Sequence, residues 1–312
     1  MAEGGSKLVI YAALGGNLAI AATKFAAALW TGSSAMLSEA IHSTVDTGNQ
    51  GLLLYGVRRA AMPPDERHPF GHGMELYFWA FVVSLLVFSL GGAFSLYEGW
   101  HRIANPEPVG TVWVNFAVLG ASALFEGISF RFAWKEFRRS RGDENLLSGI
   151  HRSKDPSVFS VLLEDGAALI GLSFAAIGLG LAVWLDMPAL DGAASIAIGA
   201  LLVLTATFMA YETRSLLTGE SASPRVLRHV RSLLENDPRV ASVKELLSMH
   251  LGPSEILLAI TIDFRDNLSG DEVEQAALDL THRVECDHPE VTRLFLRPHQ
   301  VRTALSGSGV GS

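Results

Sequence analysis

Three short stretches of this chain carry residue types that can hold a metal ion. The first is Glu39-Ala40-Ile41-His42-Ser43-Thr44-Val45-Asp46, set inside an apolar segment. On a helix, His42 and Asp46 stand one turn apart on one face. An imidazole with a carboxylate is a ligand pair for a divalent transition metal, with zinc the commonest. The second stretch is Val161-Leu162-Leu163-Glu164-Asp165-Gly166, two adjacent carboxylates among aliphatic neighbours. Ionisable groups at membrane depth are expensive, and two acids there must meet a cation or take up protons. A divalent ion held by His42, Asp46 and one or both of Glu164 and Asp165 removes that conflict. Neighbouring helical positions point about 100° apart, which predicts that only one of the two acids faces the first pair. The third stretch, Asp65-Glu66-Arg67-His68-Pro69-Phe70-Gly71-His72-Gly73, spaces Asp65, His68 and His72 at i, i+3 and i+7, with Pro69, Gly71 and Gly73 favouring a tight loop. The competing readings are structural: a hydrogen-bonded pair between helices, a protonated buried acid, and a solvated loop.

The elements that must position these groups are membrane helices. The chain has 312 residues, 49% hydrophobic and only 18% charged, with a mean hydropathy of +0.30. A soluble domain carries about 25% charge. The apolar residues gather in runs long enough to cross a bilayer, near Leu8–Trp30, Ser34–Val57, Leu76–Ile103, Val112–Trp134, Val158–Leu185 and Ala189–Tyr211. The segments are broken at Thr31-Gly32-Ser33-Ser34, Pro63-Pro64, Asn105-Pro106-Glu107-Pro108, the polar stretch Lys135–Pro156, and Asp186-Met187-Pro188. Glu39, Ser43, Thr47, Asn49 and Gln50 make the second segment too polar to face lipid, so it must line a cavity or pack inside. The loops after the second and fourth segments hold the basic residues, from Arg58, Arg59 and Arg67 to Lys135, Arg138, Arg139, Arg141, Arg152 and Lys154. The positive-inside rule then predicts that both termini are cytoplasmic. The single cysteine, Cys286, excludes an intrachain disulfide framework and a cysteine-based zinc finger. A net charge of −8 gives no sign of nucleic-acid binding.

From about Thr218 the composition changes. Val226–Leu234 is amphipathic and stops at Asn236-Asp237-Pro238; Val240–Leu251 and Ile256–Phe264 read as strands joined at Gly252-Pro253-Ser254. Asp271–Glu285 has helical periodicity, and Val291–Leu296 reads as a last strand. The order α-β-β-α-β predicts a small ferredoxin-like α+β domain. The expected organisation is a six-helix transmembrane domain over residues 1–215, a cytoplasmic ferredoxin-like domain over 216–302, and a disordered tail over 303–312.

On the motifs Ser38-Glu39-Ala40-Ile41-His42-Ser43-Thr44-Val45-Asp46 and Asp65–Gly73 the chain resembles the cation diffusion facilitators, a family of zinc and related metal transporters. The resemblance covers about residues 8–300. Leu163-Glu164-Asp165 and Leu76-Tyr77-Phe78-Trp79 are most similar to the branch of the mitochondrial-type zinc transporter. The resemblance implies that His42 and Asp46 are the transport-site ligands of the second helix and that Asp65, His68 and His72 form an accessory loop site. It also implies a homodimer. The fifth helix departs from the family's H/D-x-x-x-D pattern: four residues before Asp165 stands Val161, and four before Glu164 stands Ser160. In the C-terminal domain, the positions that hold histidine ligands in some members are Lys244 and Ile260 here. No metal site is expected there, and dimerisation is its expected role.

The expected activity is efflux of Zn²⁺, with Mn²⁺, Fe²⁺ or Co²⁺ the alternatives that an oxygen-rich site also accepts, driven by inward proton flow. No cofactor is expected; the ion and protons are the cargo and membrane lipid the surroundings. Histidine and carboxylates must lose protons to bind metal, so protonation from the outer side releases the ion, and His42 is the natural shuttle because imidazole titrates near neutrality. The N-terminus lacks a cleavage pattern after its apolar run, so that run reads as the first spanning helix; with no targeting presequence visible, a bacterial cytoplasmic membrane is expected, an organelle membrane being the alternative. Two other classes compete. An intramembrane metalloprotease needs H-E-x-x-H, and Glu39-Ala40-Ile41-His42 lacks the second histidine and the spacing. A non-transporting membrane scaffold would tolerate the departures on the fifth helix.

Overall fold

The computed structural model describes residues 2–31, 34–106, 112–141, 149–151 and 153–299, and of these not the side chains of residues 2–8, 28, 31, 34–42, 140 and 141. The chain divides into two compact units, Met1–Thr218 and Gly219–Ser312. The tail expected to be disordered lies outside the described residues.

Unit 1 is helical: α1 (Ala2–Thr31), α2 (Ser34–Ala60), α3 (Met74–Ala104), α4 (Val112–Arg141), α5 (Pro156–Trp184) and α6 (Ala189–Leu217). Among the described residues, five of these contain a stretch long and apolar enough to cross a membrane. The exception is α2. Its 27 residues reach about 40 Å at 1.5 Å per residue, enough to span, but polar side chains interrupt it. Ser43, Asn49 and Gln50 are all buried, so α2 hides its polarity against its neighbours rather than in lipid. Exposed tryptophans, Trp30, Trp100, Trp113 and Trp184, sit at the ends of α1, α3, α4 and α5 on one side of the bundle, where an amphipathic ring meets the membrane–water boundary.

Two helices run further than their composition foretells. α4 continues past Trp134 to Arg141, where the polar stretch from Lys135 reads as a break, and α6 continues past Tyr211 to Leu217. Lys135, Glu136, Arg138 and Arg139 are good helix formers once the helix has left the bilayer. The Arg138 guanidinium also lies 5.1 Å over the Trp134 ring. α3 holds a π-helical segment at Val87–Ala93, a form that clusters at functional sites. Its C-terminal half packs against α6 through facing glycines. A Cβ on Gly99 would sit 2.7 Å from the Gly192 carbonyl oxygen, and one on Gly199 would sit 2.7 Å from the Leu96 nitrogen. Gly92 is equally tight, 2.7 Å from Val203, whereas Gly15 and Gly48 face open space.

Unit 2 contains α7 (Pro224–Glu235), β1 (Val240–Gly252), β2 (Glu255–Phe264), α8 (Gly270–Asp287) and β3 (Val291–Pro298). Ser223 caps α7 ahead of Pro224, and Ser269 with Glu272 forms a capping box on α8. The sheet order is β1-β2-β3, with β1 and β2 antiparallel and β2 and β3 parallel. Alternate residues of β2, Ile256, Leu258, Ile260 and Ile262, join Val230 and Leu234 of α7 and Leu280 and Val284 of α8 in the core. That is the α+β architecture the sequence predicts.

Candidate metal centre

A cavity of about 280 Å³ lies inside unit 1, and all six helices contribute to its wall. At its deep end stand Asp46 from α2, Glu126 from α4, and Glu164 and Asp165 from α5. From there the lining descends α5 to Ala175, about 16 Å along the axis. It ends at Arg102 and Asp191, beside the last turn of α3 and the first of α6. In the other direction the helices close on one another. Ile10, Leu53, Tyr77, Ala133, Phe159, Val161 and Leu216 belong to one buried apolar cluster, at the ends of the helices that carry the arginine-rich loops. The acids therefore stand where an apolar seal meets a polar chamber.

Glu164 and Asp165 both line this chamber, although their directions suggested that only one would. They reach it from different sides. Glu164 Oε2 accepts from the Gln50 amide on α2 at 2.8 Å. Asp165, 2% exposed, accepts from the Ser129 hydroxyl on α4 at 2.5 Å and lies within hydrogen-bond reach of Glu126. Neither residue that the family pattern would recruit on α5 takes part. Val161 is buried in the apolar seal, and Ser160 is buried with its Oγ unpaired, away from the cavity wall. The side chain of His42 falls outside the described ones; its position on α2 is one turn before Asp46.

Glu126 was not singled out by spacing. It belongs to Leu124-Phe125-Glu126-Gly127-Ile128-Ser129, an isolated acid in an apolar run. The available signal was the rule that an ionisable residue at membrane depth is a functional candidate. Asn49 is the second residue brought in by the structure: it is 3% exposed, lines the cavity and leaves its Oδ1 without a partner.

The loop between α2 and α3 brings Asp65, His68 and His72 together. Among the described residues this is the one group of three or more His, Cys, Asp or Glu side chains with ligand atoms within 4.8 Å of one another. Gly71, at φ +91°, allows the chain to turn back, and its amide donates to the His68 carbonyl at 2.9 Å. Asp65 Oδ1 accepts from the amides of His68 at 2.6 Å and Arg67 at 2.9 Å. These amides, the His68 one foremost, hold the Asp65 carboxyl below the usual carboxylate range. The His72 ring is buried, with Nε2 3.3 Å from Asp65 Oδ2 and Nδ1 unpaired. The His68 ring stands 4.2 Å from it, centroid to centroid. Beside the loop, Arg59 and Trp79 both donate to Glu75, tying the end of α2 to the start of α3.

In unit 2, Lys244 pairs with Asp263 at 3.1 Å and Ile260 is core. The described histidines there stand elsewhere: His250 is buried on β1, and His229 meets His288 at 2.8 Å between ring nitrogens.

The chain is similar to known proteins over most of its length. The cation efflux transmembrane domain matches residues 10–218. The mitochondrial proton-coupled zinc antiporter SLC30A9 of Homo sapiens is 31% identical over 284 residues, covering 88% of this chain and 50% of its own. Metal tolerance protein C4 of Arabidopsis thaliana is 31% identical over 283 residues, covering 90% and 61% respectively. The cation-efflux pump FieF of Klebsiella pneumoniae is 26% identical over 285 residues, covering 86% and 89%. The chain thus spans about half the length of the human relative.

Proposed function

This chain belongs to the cation efflux, or cation diffusion facilitator, family, and from that premise we propose that it exports divalent metal cations, Zn²⁺ foremost, by antiport against protons. Relatives named a proton-coupled zinc antiporter and a cation-efflux pump support that reading. The observation that carries it is the acid-walled chamber, closed by apolar packing on one side and reaching the helix ends on the other. One side sealed and one side lined to the surface is what a carrier needs and a pore lacks.

His42, Asp46, Glu164 and Asp165 are the transport ligands in this reading. The ion enters from the cytoplasm, where the arginine-rich loops lie, and leaves through the chamber past Arg102 and Asp191. Lowering pH on the exit side protonates the carboxylates and the imidazole, weakens their hold and frees the ion. Their deprotonation after the site turns inward restores affinity. Zn²⁺ fits the imidazole and carboxylates; Mn²⁺, Fe²⁺ and Co²⁺ fit the oxygens. Asp65, His68 and His72 form an accessory site on the entry side. Residues 1–215 are the transport domain, and residues 216–302 are a cytoplasmic domain that pairs two copies in the membrane. The bacterial cytoplasmic membrane is the proposed location; the relative of mitochondria keeps an organelle membrane as the second possibility.

The test is metal flux into proteoliposomes with an imposed pH gradient, comparing Zn²⁺, Mn²⁺, Fe²⁺ and Co²⁺. Gradient-dependent uptake that disappears in Asp46→Ala supports antiport; Glu164→Ala and Asp165→Ala then weigh the two acids of α5. Absence of flux for every metal would leave the scaffold reading in front.

A further inference from the structure

The fifth helix lacks the ligand that its family's pattern places four residues before the aspartate. Val161, at that position, is wholly buried in the apolar seal. The fourth helix supplies a carboxylate instead. Glu126 lines the chamber with Asp46, Glu164 and Asp165. One turn later on the same face, Ser129 binds the Oδ2 oxygen of Asp165. α4 therefore meets the chamber with Ser122, Glu126 and Ser129 on one face.

A second observation comes from oxygens that have no partner. Asn49, 3% exposed on the chamber wall, has an unpaired Oδ1. Glu164 Oε1 is also unpaired, because its other oxygen takes the Gln50 amide. When Glu164 is ionised its oxygens only accept, so the Gln50 NH₂ faces Oε2 and Oε1 is left open to a cation. Buried acceptors without donors are rare in folded chains. Lys24 is the basic side chain of this part of the wall, and two open acceptors beside four carboxylates leave a gap that a divalent ion fills.

We infer that Glu126 and Asn49 are ligands of the transported ion, Glu126 taking the role that Val161 leaves vacant. The ion is then held mainly by oxygen from three helices: Asp46 and Asn49 of α2, Glu126 of α4, and Glu164 and Asp165 of α5. This rests on the efflux reading above and narrows its substrate class. An oxygen-dominated shell favours five or six ligands, so Mn²⁺ and Co²⁺ are carried beside Zn²⁺. Unlike the loop ligands, no three of these carboxylates have oxygens within 4.8 Å of one another, so ion capture brings side chains of α2, α4 and α5 together.

The test uses full-length protein with the loop ligands removed by His68→Ala and His72→Ala, so that the intramembrane site titrates alone. Co²⁺ is titrated and followed by visible absorption, and Zn²⁺ and Mn²⁺ compete with it. The expected result is the weak absorption of five- or six-coordinate Co²⁺. Glu126→Gln should weaken Co²⁺ at least about tenfold and raise the transport KM in parallel; Asn49→Ala should weaken it several-fold by the same route. Glu126→Asp, which keeps the carboxylate, should retain binding and guards against a folding defect. Intense tetrahedral Co²⁺ absorption that Glu126→Gln leaves unchanged, with Asp46→Ala losing the ion, overturns the inference while efflux stands. Glu126-dependent Co²⁺ binding with no flux of any metal overturns efflux while the ligand assignment stands.

Discussion

Polar groups are buried in both units of this molecule, and the two units treat them in opposite ways. In unit 2 the buried carboxylate of Asp237 takes two hydrogen bonds from the Arg239 guanidinium, at 2.9 and 3.0 Å, and Arg239 continues to Asp279 at 2.8 Å. Arg283 approaches the same carboxylate at 3.5 Å. In unit 1, Asn49, Gln50, Ser160 and Glu164 each keep a buried oxygen unpaired, and His72 a buried nitrogen; among the described residues every buried side-chain atom without a partner lies in unit 1. Leaving a buried polar atom unpaired costs about 1–3 kcal/mol. A fold that tolerates several within one helical bundle is holding them for something other than stability. Closed circuits mark where a chain is held together; among the open acceptors, those of Asn49 and Glu164 face the chamber.

The sharpest way to break that contrast is Asp46→Ala. If the chamber acids serve cargo and not the fold, flux falls by at least about 100-fold while the thermal midpoint stays level or rises. Removing one negative charge from a group of acids relieves repulsion. The measurement is proteoliposome flux beside thermal unfolding of the same preparation. A variant that unfolds as it loses flux would place Asp46 among the structural residues.

Asp237→Asn is the converse. It leaves Arg239 and Arg283 facing a neutral amide and should destabilise unit 2 by about 1–3 kcal/mol, the range for a hydrogen bond to a charged group, because Arg239 is only partly buried. Flux per folded molecule should be unchanged. All six tryptophans lie in unit 1, so fluorescence would miss the change, and hydrogen exchange of the β1 and α8 amides is the suitable readout. The pH dependence has a definite sign. Arg239 holds the Asp237 carboxyl below its ordinary range. Its stabilisation is therefore complete above an unfolded pKa of about 3.9 and is lost as pH falls from there through the native value. Asp237→Asn should flatten that acid limb.

The same contrast governs what was legible in the sequence. Helices, strands and caps come from local chemistry: Ser223-Pro224, Ser269 with Glu272, and the alternating Ile256, Leu258, Ile260 and Ile262 all announce their elements. His42-x-x-x-Asp46 and Asp65–His72 stood out as candidates because each proposed set shares one helix or loop. Glu126 did not, because its partner Asp165 is 39 residues away on another helix and no short-range period links them. The glycine contacts divide similarly. Gly15 and Gly48 resemble Gly92 and Gly99 in sequence, and only the meeting of α3 with α6 separates open space from a 2.7 Å approach. Gly99→Ala should therefore cost about 1–3 kcal/mol through overpacking, and Gly48→Ala close to nothing. Thermal unfolding of the two variants checks the pair.

The loop site should respond least, and its geometry says why. His68 and Asp65 are about half exposed, the backbone amides of Arg67 and His68 already hold Asp65 in place, and Gly71 makes the turn at positive φ. Losing a ligand there leaves the loop conformation standing and the membrane chamber untouched. His68→Ala should therefore lower flux only a few-fold at saturating Zn²⁺, with the deficit growing as Zn²⁺ becomes scarce if the loop delivers ions to the entry side. His72→Ala should cost more than His68→Ala because the His72 ring is buried at the start of α3. Part of its effect should then appear in the thermal midpoint, where His68→Ala should have none. Equal loss in the two variants, independent of Zn²⁺ concentration, would make the loop a structural hinge; a KM effect confined to low Zn²⁺ makes it a second, open set of ligands beside the first.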